Sequence, residues 1–237
     1  MTLAVAGLSY AYGAKRALDD VTFAVGAGRF TALLGPNGAG KSTLFGLLSG
    51  LLRADGGHVS VAGHDMARAP RKALAEMGIV FQQTTLDLDL TVRQNLRYFA
   101  ALRGIAGRMA DGRIDAALDR LGMRERAGEK VRALNGGHRR RTEIARALLH
   151  GPSVLLLDEP TVGLDAASRT AITAHVHDLA GEGLAVLWAT HLTDEVAPGD
   201  HLLVLHQGRL LADGGVGEVT AGTPLADYFL DATGRAA

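Results

Sequence analysis

Apolar positions recur along this chain with two different periods, and the change of period divides it into strands and helices. Val21-Thr22-Phe23-Ala24-Val25 is apolar at every second position, as in a half-exposed strand. Phe30-Thr31-Ala32-Leu33-Leu34 is a short apolar run suited to a buried strand, and Val154-Leu155-Leu156-Leu157 reads as one buried on both faces of a parallel sheet. Met77-Gly78-Ile79-Val80-Phe81, Leu184-Ala185-Val186-Leu187-Trp188-Ala189 and Leu202-Leu203-Val204-Leu205 are further apolar runs. Helical spacing appears at Leu44, Leu47, Leu48, Leu51 and Leu52, and at Val92, Leu96, Phe99 and Leu102 behind a capping box of Thr91 and Gln94. It returns at Ile114, Ala117, Leu118 and Leu121, at Ile144, Ala145, Leu148 and Leu149, and in an amphipathic segment over residues 225–230.

Chemistry enters where the strand at residues 30–34 hands over to a helix. The intervening run GPNGAGKST (Gly35, Pro36, Asn37, Gly38, Ala39, Gly40, Lys41, Ser42, Thr43) matches G-x-x-x-x-G-K-[ST] at every fixed position. Glycines let consecutive N–H groups converge on phosphate oxygens, while the positive end of the helix faces the anion. A nucleoside triphosphate is the expected ligand, with Lys41 bridging its β- and γ-phosphates, Ser42 ligating Mg²⁺ and Thr43 within reach of the α-phosphate. The run ending at Leu157 is followed by Asp158-Glu159-Pro160. Its tip is expected beside the phosphate loop, with Asp158 holding the Mg²⁺ shell and Glu159 polarising the attacking water as general base. Adjacent strand residues point to opposite faces, so the two carboxylates are assigned different tasks.

Between these segments lies LNGGHRRR, residues 134–141, opening a helix. On these three motifs the chain resembles the nucleotide-binding subunit of an ATP-binding cassette (ABC) transporter, from about Leu3 onward. The family's signature usually reads LSGGQ. Here Gly136 and Gly137 are kept, whereas Asn135 and His138 depart from it. Asn is as good an N-cap as Ser and its amide can donate to phosphate, so the role is retained and the closing geometry and turnover are put in question. His138 brings a group that titrates near neutrality. The three arginines are read as a solvated face.

The resemblance implies roles for further residues in the family's order. Tyr12 matches the aromatic that stacks on adenine. Gln82 matches the glutamine that touches Mg²⁺ and the lytic water, with Gln83 an alternative one position on. Asp165, in Gly163-Leu164-Asp165, matches the contact between two protomers, and His191 the histidine that meets the γ-phosphate and orients the catalytic glutamate. The implied fold is a P-loop NTPase with a RecA-like core (about residues 1–83 and 151–237), an N-terminal antiparallel β portion and an inserted helical subdomain (about 84–150), all one ATP-binding domain. Two subunits pair head to tail, each ATP lying between Lys41 of one and Asn135-Gly136-Gly137 of the other. ATP closes this homodimer and hydrolysis releases it, which drives a separate integral membrane permease docked near residues 84–90. The signature variant is similar to a subgroup of ABC-2-type export ATPases, some associated with pyrroloquinoline-quinone-dependent alcohol dehydrogenase systems. A soluble mechanical ABC ATPase acting on nucleic acid or ribosomes is the alternative.

Composition narrows the class. The chain has 237 residues, 47% hydrophobic, enough for one composite α/β domain with a large core. Lys and Arg total 25, as do Asp and Glu, so no net charge draws the molecule to nucleic acid or anionic lipid. The absence of cysteine excludes disulfides, thiolate metal sites and thiol chemistry. No apolar stretch approaches the roughly twenty residues that span a bilayer, and no signal-peptide pattern opens the chain. A peripheral position on the cytoplasmic face of the membrane is expected. His58, His64, His175, His177, His201 and His206 show no defensible metal-ligand spacing and are read as scattered surface histidine.

Overall fold

A computed structural model describes residues 1–234. Strands β1 (Leu3–Tyr12) and β2 (Lys15–Val25) form a hairpin, and β3 (Phe30–Leu34) leads through the phosphate loop into α1 (Lys41–Leu48). The chain continues through β4 (Gly56–Val61), β5 (His64–Asp65), α2 (Pro70–Ala75) and β6 (Met77–Val80). Three helices follow: α3 (Val92–Leu102), α4 (Gly107–Arg120) and α5 (Gly136–Leu148). The remainder comprises β7 (Val154–Asp158), α6 (Ala166–Gly181), β8 (Ala185–Thr190), β9 (His201–His206), β10 (Arg209–Gly215), α7 (Val216–Thr220) and α8 (Leu225–Ala232).

Two sheets result. One is four-stranded and antiparallel, in the order β2-β1-β4-β5; the other has the order β10-β9-β3-β8-β7-β6. Strands β9, β3, β8, β7 and β6 run parallel, with β10 antiparallel at the edge. The parallel strands are covered on both sides, which is why they read as unbroken apolar runs. Period two survives in the destination of each side chain: Ala32, Leu34, Leu155, Leu157, Val186 and Trp188 join one core with α3, α4, α5 and α6. Leu33, Leu156, Leu187 and Leu203 join a second core with α1 and the antiparallel sheet. The α1 end of the phosphate loop and the tips of β3, β7 and β8 therefore meet at one edge, between the two layers.

Several expected elements are shorter or differently placed. Helix α1 stops at Leu48, because Gly50 turns into the left-handed region with φ of 73°. Leu51 falls out of helical phase and is 71% exposed, while Leu52 folds back so that its N–H donates to the Gly46 carbonyl at 2.9 Å. Leu102, at the last position of α3, is exposed as well. The capping box holds: Thr91 Oγ1 accepts from Gln94 N–H at 3.1 Å, and Gln94 Oε1 from Thr91 N–H at 2.8 Å. Strands β4, β5 and β10 and helices α2 and α7 were not anticipated.

Two histidines are not loose surface groups. The ring of His177 stacks on Phe30 with centroids 3.8 Å apart, and its Nε2 lies 2.9 Å from Asp200 Oδ1. His201 Nε2 lies 2.7 Å from Asp213 Oδ1 across the β9–β10 pairing. Sequence spacing hides both pairs, since each partner comes from a different element.

Candidate nucleotide site

The edge where the layers meet holds a cleft of about 890 Å³, lined among others by Tyr12, Gly38, Gly40, Lys41, Ser42, Thr43, Gln82, Glu159 and His191. Six segments distant in sequence thus contribute to one concavity, Gln207-Gly208 being the sixth, and Asn37 also borders it. Gln83, the alternative to Gln82, does not line it.

The loop's backbone explains its glycines. Gly40 caps α1 with φ of 114°, a conformation barred to most side chains, and a Cβ there would lie 2.8 Å from the Ala17 carbonyl. Gly35 and Pro36 turn their carbonyls inward, where Lys41 Nζ donates to them at 2.6 and 3.3 Å. Lys41 is 5% exposed. Its ammonium also lies 3.1 Å from Glu159 Oε1, and the same oxygen lies 3.4 Å from His191 Nδ1. One carboxylate oxygen therefore pairs with the loop lysine and faces the histidine after β8, whose Nδ1 is buried and makes no hydrogen bond.

Glu159 reaches this position by leaving the strand. Strand β7 ends at Asp158, and Glu159 takes φ of 46°. The expectation of two consecutive strand residues on opposite faces is corrected: a left-handed turn separates the carboxylates. Asp158 is 6% exposed, and its Oδ1 has no hydrogen-bond partner. Burial, then the negative charge of Glu159, raises its pKa above the usual carboxylate range; Lys41, Ser42 and Arg140 pull the other way. An orphaned, buried carboxylate oxygen beside a serine hydroxyl is the oxygen-rich donor set that suits a small hard cation.

The signature residues lie outside the cleft. Asn135 caps α5, its Oδ1 accepting from His138 N–H at 2.8 Å, and Asp165 caps α6, its Oδ1 accepting from Ser168 N–H at 2.8 Å. That N–H bond, joined by the Ser168 hydroxyl, lowers the pKa of Asp165. His138 is pushed the opposite way from a switch set at neutrality: burial, then Arg126 and Arg141, lower its pKa.

Two of the three arginines after the signature, Arg139 and Arg140, are not part of a solvated face. Arg139 donates to the Val131 and Arg132 carbonyls at 3.1 and 2.8 Å. Arg140 is 7% exposed; it donates to the Phe81 carbonyl at 2.7 Å, to the Gln82 carbonyl at 2.8 Å and to Glu143 Oε2 at 2.8 Å. Glu143 Oε1 accepts from Thr85 N–H at 2.9 Å, and Arg146 donates to the Ile79 carbonyl at 3.0 Å while lying over the Phe99 ring. One face of α5 (positions 140, 143 and 146) therefore grips the backbone on either side of Gln82. The spacing i, i+3, i+6 was legible, but its target was not. Burial lowers the pKa of Arg140 and raises that of Glu143. Sequence reading also missed Lys15, Arg16, Ala17, Val162, Gln207 and Gly208, which complete the cleft wall.

Comparison with known proteins agrees with this geometry. Residues 18–162 match the family model described as ABC transporter. A daunorubicin resistance ATP-binding protein of Streptomyces coeruleorubidus is 39% identical over 93% of this chain and 70% of its own length. A Nod factor export ATP-binding protein of Rhizobium johnstonii is 38% identical over 89% of this chain and 68% of its own length. A second daunorubicin resistance protein from the same Streptomyces is matched over 63% of its length, so the chain spans about two thirds of these relatives. Among solved structures, cbiO1 from Clostridium perfringens, part of the ABC transporter complex cbiONQ, superposes with a TM-score of 0.86 at 30% identity, covering 99% of this chain and 96% of that one. On a phosphate loop, a carboxylate strand tip, a capped signature helix and these matches, the chain belongs to the ABC transporter family, as a domain that binds and hydrolyses ATP.

Proposed function

We propose that this chain is the ATPase subunit of an exporter, pairing with a second copy around ATP and driving a membrane permease on a separate chain. The observation that carries the reading is the convergence of Lys41, Glu159, His191 and Gln82 on one cleft while Asn135, Gly136, Gly137 and Asp165 stay outside it. One chain thus holds the phosphate-gripping half of a site and offers the complementary half elsewhere, which suits a two-fold pair. The domain limits that go with this reading are a core of residues 1–83 and 151–237 and a helical subdomain of 84–150. The printed names of the relatives, drug resistance and Nod factor export, favour export. They do not bear on the quinone-dependent alcohol dehydrogenase association, which rests on the signature alone. No observation favours the soluble mechanical ATPase.

In this reading Tyr12, 53% exposed at the end of β1, offers its face to the base, and Lys41 and the loop N–H groups neutralise the phosphates. Glu159 takes the proton of the attacking water, and His191 holds that carboxylate in place. Ser42, Gln82 and Asp158 would hold Mg²⁺, which supplies charge neutralisation at the phosphates when bound. The segment of residues 84–90, exposed except at the buried Leu86 and the half-buried Leu90, is the dock for the permease at the cytoplasmic face. Among the described residues no helix is long and apolar enough to cross a membrane, so the spanning part is assigned to the partner.

The test is affinity capture of tagged Glu159→Gln from detergent-solubilised host membranes with ATP and Mg²⁺. A stoichiometric polytopic membrane protein supports the reading. Recovery only in the soluble fraction, with ribosomes or DNA attached, replaces it with the mechanical ATPase.

A further inference from the structure

Four residues after His191, a carboxylate is buried without a cation. Glu195 is 4% exposed, and no ion pair among the described residues includes it. Its Oε2 accepts from Trp188 Nε1–H at 3.0 Å and from the Thr190 hydroxyl at 2.5 Å, and its Oε1 accepts from the Thr161 hydroxyl. Burying a carboxylate against neutral donors is costly, and an apolar side chain would fill the space at lower cost to stability. Packing alone therefore does not account for a glutamate here.

What the carboxylate joins is informative. Thr161 begins the loop that runs to Asp165, and Thr190 immediately precedes His191. The two segments already touch at one backbone point, where Glu159 N–H donates to the Ala189 carbonyl at 3.0 Å. The Thr190 carbonyl accepts from Gly35 N–H of the phosphate loop at 3.2 Å, and its hydroxyl also accepts from Leu192 N–H at 3.0 Å. Glu195 closes this frame from the far side, so that Glu159 and His191 sit within a bracket fixed at both ends.

We propose that Glu195 is a positioning residue for hydrolysis: by tying Thr161 to Thr190 it keeps the Glu159 carboxylate and His191 in register. The inference rests on Glu159 and His191 acting in turnover. It acts through those residues and touches neither water nor phosphate itself.

Trp188 is the chain's one tryptophan, and it is part of the network, so its emission reports the bond directly. The experiment compares purified full-length wild type, Glu195→Ala, Glu195→Gln, Thr161→Val and Glu159→Gln for ATP turnover, displacement of trinitrophenyl-ATP and Trp188 emission. For Glu195→Ala, kcat is expected to fall about tenfold or more, since misplacement of catalytic groups by an ångström costs on the order of a hundredfold. ATP affinity is expected to stay within about twofold, because the loop's phosphate donors are untouched. Trp188 emission shifts, Thr161→Val moves kcat in the same direction by less, and Glu195→Gln recovers most of it. Wild-type turnover in Glu195→Ala with shifted Trp188 emission overturns the proposal, as does joint loss of affinity and kcat. If Glu195→Ala does not fold, Thr161→Val decides by the same two criteria. Glu159→Gln separates the levels: if it keeps turnover, the reading of the site fails, whereas an inactive Glu159→Gln beside a fully active Glu195→Ala sinks this inference alone.

Discussion

The ammonium of Lys41 and the carboxylate of Glu159 form a 3.1 Å ion pair with both groups buried, and the left-handed turn at Glu159 makes it possible. A carboxylate continuing strand β7 would point along the alternation of the sheet and away from the loop. Replacing it with the isosteric amide keeps the shape and removes both the charge and the proton acceptor. Glu159→Gln is therefore expected to keep ATP binding and to lose turnover by about a hundredfold or more. Phosphate release and equilibrium nucleotide binding, measured on one preparation, check it; turnover at the wild-type rate would remove Glu159 from the chemistry.

Arg140 satisfies two carbonyls and a carboxylate at once, its planar guanidinium fork spanning acceptors on two different segments. Arg140→Ala leaves Glu143, 1% exposed, without its partner and is expected to cost about 3–5 kcal/mol in urea unfolding. Arg140→Met combined with Glu143→Leu removes the orphan and should restore most of that stability. Turnover should stay low in the pair, because the Phe81 and Gln82 carbonyls remain unanchored. Full recovery of both stability and turnover would show that the clamp on Gln82 has no part in hydrolysis.

Gly208 connects three pieces of the cleft. Its N–H donates to the Ala39 carbonyl of the phosphate loop at 2.9 Å, and its carbonyl accepts from Asp19 N–H of β2 at 2.8 Å. Its φ is 79°, and an added Cβ would lie 2.6 Å from the Ala17 carbonyl. Gly208→Ala is expected to cost about 1–3 kcal/mol and to weaken ATP binding, since the strain falls on the wall beside Tyr12 and the loop. Thermal unfolding and nucleotide titration measure the two effects; a variant as stable as wild type would show that the backbone relaxes freely there.

The parts of the site carried by local pattern were legible in the sequence: the phosphate loop, the Asp158-Glu159 tip, the capping box at Thr91 and the Asn135 cap all depend on residues within a few positions of one another. What escaped depends on where the chain returns. Gly208 and Gln207 reach the cleft because β9 lies beside β3, an adjacency no local window contains. Arg140 looked like one of three surface arginines because its carbonyl partners sit about sixty positions earlier. The left-handed turn at Glu159 carries no glycine or asparagine to announce it. His177 and Asp200 are separated by a strand and a loop, so a half-buried ring paired with a buried carboxylate read as an isolated ring.

That pair gives the chain a pH dependence away from the nucleotide. Burial works against a charged His177, but the hydrogen bond to Asp200 and the Thr173 carbonyl outweigh it, and its pKa is raised above 6.5. A group whose pKa is higher folded than unfolded contributes stability that is complete below the unfolded value and is lost as pH rises through the folded one. The advantage of wild type over His177→Gln in urea unfolding should therefore be largest near about pH 5.5 and should shrink toward about pH 8.5. The stacking of the ring on Phe30 does not titrate away, so a residual difference is expected at the alkaline end. A difference that stays flat across this range would mean that His177 serves through packing alone; one that grows with pH would reverse the sign and show the folded chain preferring the neutral ring.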